Sequence, residues 1–139
     1  MEKIVVVNGL DKCDEYYPIR KTVFLDEQGF AYDKDDIDKI SRHVIVYVNN
    51  KPVGTARFFK DGDNYHVGRV AVLKEYRNKN IGKEIMAQIV NEIKKEGHYK
   101  IILSSQMHAI PFYSKCGFIR TYKTHLDEDA LHEWMYLTV

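Results

Sequence analysis

Two short stretches of this chain combine residue types that could do chemistry. Arg77-Asn78-Lys79-Asn80-Ile81-Gly82 follows an apolar, strand-like run and opens a periodic helix, and Lys83 adds a further cation. Backbone N–H groups at the start of a helix have no intrahelical partner and lie at the positive end of its dipole, so such a turn can hold a phosphate. Gly82 allows close backbone approach, and Asn80 can take the left-handed conformation that glycine usually occupies. Neither a Gly-x-x-x-x-Gly-Lys-Ser/Thr stretch nor a dinucleotide fingerprint occurs, which argues against nucleotide chemistry. Further along, Phe112-Tyr113-Ser114-Lys115-Cys116-Gly117-Phe118 sets a phenol, a proton donor at neutral pH, among aromatic residues.

The elements that must position these residues follow from patterning. Glu2 to Val7 is β-branched and reads as a strand, closed by the turn dipeptide Asn8-Gly9. From Asp11, residues Tyr16, Ile19, Val23 and Phe24 fall along one face, which predicts a helix to about Glu27 with Gly29 just past its end. Ala31 to Ser41 is acidic with little apolar content and predicts a solvated surface loop with some helix. His43 to Val48, Val53 to Phe59 and Tyr65 to Leu73, separated by turn residues, predict three sequential antiparallel strands. Ile85, Met86, Ile89, Val90 and Ile93 recur at helical spacing from Gly82 onward, with Gly97 placed to cap the end. Lys100 to Ser104 is a short strand after that helix, so a parallel crossover should pair Val67 to Leu73 with Lys100 to Ser104. A short helix around Ala109 to Lys115 and strands at Phe118 to His125 and Glu133 to Thr138 complete a mixed, mostly antiparallel sheet flanked by helices. The fold class is α+β, or α/β by looser naming.

Composition bounds the functions open to the chain. With 139 residues, 45% hydrophobic and 29% charged, it fits one domain, residues 1–139, with a real core. Lys+Arg number 21 against 20 Asp+Glu, a formal +1, and no basic block appears, so nucleic acid is not an expected partner. The apolar run Ile4 to Val7 is far shorter than a signal-peptide core or a membrane span, so the expectation is a cytoplasmic protein with no membrane partner. Cys13 and Cys116 form no C-x-x-C pair and read as reduced thiols.

On these residues the chain resembles the GNAT (Gcn5-related N-acetyltransferase) superfamily. Arg77 to Gly82 is similar to its Q/R-x-x-G-x-G/A motif, with Asn80 in place of the first Gly, and Val70-Ala71-Val72 and Ile85-Met86 resemble the flanking strand and helix. Phe112-Tyr113-x-x-x-Gly117-Phe118 resembles the second signature of that family. Glu27-Gln28-Gly29, Asp36-x-Asp38, His43, Gly54-Thr55-Ala56-Arg57, Ser105-Gln106 and His132-Glu133-x-Met135 are similar to an ElaA/YjcF-like subgroup. The resemblance implies a GNAT-like sheet whose parallel pair splays apart, with the pantetheine of acetyl-CoA lying in the gap. Val70, Ala71 and Val72 would face pantetheine and the acetyl group. Arg77, Asn78, Lys79, Asn80, Ile81, Gly82 and Lys83 would receive the pyrophosphate, and Gln106 would contact the pantetheine amides.

The activity implied is acetyl transfer from acetyl-CoA to a primary amine of a small molecule or peptide, by direct attack in a ternary complex. Such transfer needs a neutral nucleophile, stabilisation of charge on the acetyl oxygen, and a proton for the departing thiolate. The resemblance gives Tyr113 the role of acid and the Val72 N–H that of carbonyl donor. Glu27, His43, His66, His108 and His132 are all open as the base; Glu27 ends the first helix and His108 follows the second parallel strand, where histidine chemistry suits a base. Phe30, Tyr32, Phe58, Tyr65 and Trp134 could shape an acceptor pocket. His125 and His132 with Asp36 or Asp38 match no metal-ligand spacing, and no metal is expected. A non-catalytic acyl-CoA sensor or interaction module on the same fold is the alternative, and a homodimer is a family-level expectation.

Overall fold

A computed structural model describes all 139 residues. Seven strands, β1 (Glu2–Asn8), β2 (Arg42–Val48), β3 (Lys51–Asp61), β4 (Asn64–Val72), β5 (Lys100–Gln106), β6 (Ile119–Asp127) and β7 (Ala130–Thr138), form one sheet in the order β1-β2-β3-β4-β5-β7-β6. Only β4 and β5 run parallel. The helices are α1 (Cys13–Arg20), α2 (Ile37–Ile40), α3 (Ile81–Lys94) and α4 (Ile110–Lys115), which makes the fold α+β. No helix is long and apolar enough to cross a membrane.

The hairpins form where polar residues accept positive φ. Asn49 and Asn50 (φ 50° and 68°) join β2 to β3, and Glu128 and Asp129 (φ 48° and 66°) join β6 to β7. Two consecutive left-handed residues make the turn whose twist matches antiparallel strands. The last two strands are therefore longer than patterning predicts, because Glu128-Asp129 lacks the glycine that marks such turns. α3 buries Ile81, Ile85, Met86, Ile89 and Ile93 in one cluster with Val44, Val46, Val53 and Phe58 of the sheet. On the opposite face α1 buries Tyr16 against Ile45 and Tyr47, while Ile19 and Val23 meet Ala71.

The first helix departs from a regular one. Pro18 lies inside α1 and cannot donate to the preceding turn, and Lys21–Glu27 continue the helix in the wider π form. A widened turn rotates the residues after it, which carries Phe24 and Gln28 to the wall of a cavity beside β4.

The parallel pairing also differs from expectation. Asn64 to Val67 pair with Lys100 to Leu103, so Val67 is the last β4 residue in the parallel ladder rather than the first. The cause is a bulge. Arg57 faces Gly68 and Thr55 faces Ala71, which leaves Ala56 opposite both Arg69 and Val70, and Arg69 has φ 52°. A bulge bends its strand and increases its twist. Beyond it Gly68–Val72 stay with β3, whereas Ser104–Gln106 stay with β7.

Gly54 sets how closely α3 lies on the sheet, because a Cβ there would stand 3.1 Å from both Ile81 Cγ2 and Ile85 Cδ1. Gly54→Val should therefore cost about 1–3 kcal/mol through overpacking. Urea denaturation reads this directly; an unchanged midpoint would show that α3 is not so closely seated.

Candidate active site

Separation of β4 from β5 exposes a strand edge. The Leu73 N–H donates to the Val53 carbonyl at 2.9 Å, so alternation along an antiparallel strand turns the N–H and C=O of Val72, and of Val70 one pleat back, toward the gap. The gap opens into a cavity of about 540 Å³ lined by Val67, Gly68 and Val70 on one side and by Leu103, Ser104 and Gln106 on the other. His108, Tyr113, Phe30, Tyr32 and Trp134 also line it, whereas Phe58 and Tyr65 belong to the core.

At the other end of the exposed edge lies the basic turn. Asn78 and Asn80 both adopt positive φ (62° and 66°), so asparagine here does what glycine does elsewhere. The first bond of α3 runs from the Glu84 N–H to the Asn80 carbonyl at 3.0 Å, leaving the N–H groups of Ile81, Gly82 and Lys83 without an intrahelical partner. A Cβ on Gly82 would lie 3.1 Å from the Phe112 ring and 4.0 Å from Val72. Gly82 is thus where the turn, the end of β4 and α4 converge, which ties the two sequence signatures together.

Arg77 and Glu27, expected in different roles, bind each other. Arg77 Nη1 and Nη2 donate to the two Glu27 oxygens at 2.6 and 2.7 Å, and Arg77 Nε donates to the Val72 carbonyl at 2.9 Å. The Arg77 hydrogen bonds hold the Glu27 carboxyl below the usual range. Glu27 does not line the cavity. A carboxylate so paired is a weak proton acceptor, and its geometry is that of a clamp on the basic turn.

Tyr113 packs edge-on between Phe112 and Phe118, and its hydroxyl makes no hydrogen bond within the chain. Burial, and secondarily Cys116, pushes the phenol up, so it remains a proton donor at neutral pH. Gln106 Nε2 donates to Gln28 Oε1 at 2.8 Å, bridging β5 to the end of the π segment. His108 is exposed at the cavity wall. His66 and His132 also reach that wall, and the His132 Nδ1 lies 2.9 Å from the Ala130 carbonyl. His43 does not: it is buried, stacked on Tyr16 at 4.0 Å, and burial lowers its pKa.

The acidic stretch Ala31 to Ser41 is more than a solvated loop. Arg20, fully buried, donates to Asp33 and Asp38 at 2.8 Å each. Arg57 bonds Asp35 and Asp38, and Arg69 bonds the Asp33 carbonyl and Asp35 at 3.0 and 3.2 Å. Three arginines from α1, β3 and the β4 bulge are thus neutralised by one loop. The sequence carries part of this signal: Arg20 sits one turn after Tyr16 on the buried helix face, and Arg57 lies within a strand of buried residues. Burial alone would raise the Asp38 carboxyl, but hydrogen bonds and charge from Arg20, then Arg57, outweigh it and hold it at about 2.

Residues 10–118 match the model of the Acetyltransferase (GNAT) family. The chain belongs to that family and is an acyl-CoA-dependent acetyltransferase. Within it, the chain is 31% identical over 134 residues to the uncharacterized N-acetyltransferase YjcF of Bacillus subtilis, covering 94% of this chain and 95% of that one. The crystal structure of Escherichia coli ElaA superposes with a TM-score of 0.87 at 24% identity, over 98% and 99% of the two chains. An aminoglycoside 6'-N-acetyltransferase complexed with coenzyme A shares the fold at TM-score 0.74 and 14% identity, over 96% of each chain. ElaA and YjcF place the chain in an ElaA/YjcF-like subgroup.

The charge cluster makes a signed pH prediction. Asp38 has a carboxyl lowered from 3.8 to about 2, so its contribution is fully present above pH 3.8 and is lost as pH falls through about 2. That shift corresponds to about 2 kcal/mol. Asp38→Asn should lower stability at pH 7 and flatten the acid limb of a stability–pH curve measured by urea unfolding. An acid limb identical to that of the wild type would remove Asp38 from this role.

Proposed function

We propose that the protein transfers the acetyl group of acetyl-CoA to a primary amine of a small molecule or peptide, by direct attack within a ternary complex. The observation that carries this reading is the parting of β4 and β5 after Val67 and Leu103, which opens a strand edge free of β5 between a helix N-terminus and the half-buried phenol of Tyr113. Acetyl-CoA supplies an activated thioester. The chain supplies the rest.

The edge of Val70 and Val72, whose Val72 carbonyl is held by Arg77 and whose Val72 N–H is not, suits the amides of pantetheine, with Ala71 between them turned into the core, and Gln106 faces the same gap from β5. The unpaired N–H groups of Ile81, Gly82 and Lys83, with the Lys79 and Lys83 cations and the left-handed Asn78 and Asn80, suit a pyrophosphate. In this reading Arg77 shapes that turn while held by Glu27. The Val72 N–H stabilises negative charge developing on the acetyl oxygen. Tyr113, kept protonated by burial, gives its proton to the departing sulfur. His108, exposed at the cavity wall, takes the proton of the amine, since Glu27 is engaged by Arg77. Cys116 is half-buried and its thiol is pushed up by burial, which disfavours an acyl-enzyme on it.

A thiol-release assay over a panel of small amines and peptides tests this reading, with acetyl-CoA binding followed by calorimetry. Tyr113→Phe should lower kcat about a hundredfold with little change in acetyl-CoA affinity. Glu27→Gln, which keeps an acceptor for Arg77, should leave most of kcat in place. A protein that neither binds acetyl-CoA nor releases thiol with any amine would refute the function. Loss of activity in Glu27→Gln alone would return the base role to Glu27.

A further inference from the structure

Ser104 on the cavity wall is hydrogen-bonded to a histidine on β6 that the proposed transfer does not use. Leu103 turns into the core beneath α3, so strand alternation turns Ser104 to the opposite face, into the cavity, one residue past the last parallel pair. The Ser104 Oγ lies 2.8 Å from His125 Nε2 on β6. His125 is stacked on Trp134 with ring centroids 4.5 Å apart, and its Nδ1 is buried without a hydrogen-bond partner. Chains rarely leave a polar atom in that condition, and the exceptions concentrate at functional sites.

Most other polar groups on this wall are already committed. Asp33 and Asp35 serve the arginines, Gln106 is bonded to Gln28, and His132 Nδ1 lies against the Ala130 carbonyl. Ser104 differs in being exposed and in bonding to a ring that can hold its hydroxyl hydrogen. With the His125 proton on Nδ1, Nε2 accepts from Ser104, and the serine oxygen is left with lone pairs toward the cavity.

Resting on the acetyltransferase reading, we propose that Ser104 Oγ accepts a hydrogen bond from an N–H of the attacking amine and so aims its lone pair at the acetyl carbon. His125 is a positioning residue that fixes the serine rotor, and Trp134 fixes His125. Ser104 neither gains nor loses a proton. The nitrogen lone pair forms the nitrogen–carbon bond as the carbonyl pair moves onto oxygen, toward the Val72 N–H; its return breaks the carbon–sulfur bond, whose pair leaves on sulfur with the Tyr113 proton, and the amine proton leaves through His108. A hydroxyl at the point where the strands part selects acceptors that keep a second N–H when one proton departs, namely primary amines, and disfavours secondary amines and hydroxyl acceptors, whose single hydrogen must leave.

The test uses the full chain and the amine that wild-type protein acetylates fastest in the panel. Ser104→Ala should lower kcat about tenfold, leave the calorimetric Kd for acetyl-CoA within about twofold, and be restored substantially by Ser104→Thr. His125→Phe keeps a ring against Trp134 but removes the nitrogen, and should lower kcat in its own right. The double variant Ser104→Ala with His125→Phe should be no slower than Ser104→Ala, because His125 acts only through Ser104. A Ser104→Ala protein with wild-type kcat/KM overturns the proposal, as does a double variant whose loss is the product of the two single losses. Wild-type protein that binds acetyl-CoA but acetylates no amine refutes the proposed function and this assignment with it, whereas wild-type turnover shared by Ser104→Ala refutes this assignment alone.

Discussion

A buried charge cluster sets the conformation on which the site depends. Arg69 occupies a left-handed backbone position that a non-glycine residue adopts only at some cost, and two aspartates of one loop meet its guanidinium. The same loop neutralises Arg20 beneath it and Arg57 on the neighbouring strand. Breaking a buried ion pair on one side costs several kilocalories per mole because the remaining charge is stranded. The three arginines therefore fix the loop, the loop fixes the bulge, and the bulge parts β4 from β5. The consequences are geometric: an unpaired strand edge, a cavity beside it, and walls contributed by both sides of the gap.

The two ends of that edge are held by different means. At the basic turn the Glu27–Arg77 pair connects the end of the π segment to the Val72 carbonyl, so the first helix and the turn move as one. At α4 the Phe112 ring rests on Gly82, leaving no room for a side chain. The phenol of Tyr113, one residue on, is thereby set relative to the turn by direct packing. Burial then does to Tyr113 what pairing does to Glu27, in the opposite chemical sense: the phenol keeps its proton and the carboxyl gives its proton up.

The fold was largely legible in the sequence because its long elements are strongly periodic. The isoleucine stripe of α3 and the three hairpin strands 42–72 are where patterning predicts them. The misread features share one property, positive φ or widened helix at residues other than glycine. Arg69 carries no mark of a bulge, so patterning predicts parallel pairing from Val67, where it in fact ends, and Glu128-Asp129 carries no glycine to announce a turn. The site was legible in its residue types and less so in its partnerships. Asp33, Asp35 and Asp38 look solvated in a polar stretch, and only their distances to Arg20, Arg57 and Arg69 reveal a core. Glu27 and Arg77 are fifty residues apart, and nothing local tells that each occupies the other. The pairing of Ser104 with His125 is hidden for the same reason: the register of β5, β7 and β6 brings them together.

We propose that the Arg69 bulge, held by the aspartate loop, opens the gap that receives acetyl-CoA. Calorimetric affinity for acetyl-CoA in Arg69→Val, set beside Arg69→Gly, tests it most directly. Valine resists positive φ and removes the guanidinium, whereas glycine removes the guanidinium but adopts the bulge conformation freely. Arg69→Val should bind acetyl-CoA at least about tenfold more weakly than Arg69→Gly. Equal affinities in the two variants, both matching the wild type, would contradict it.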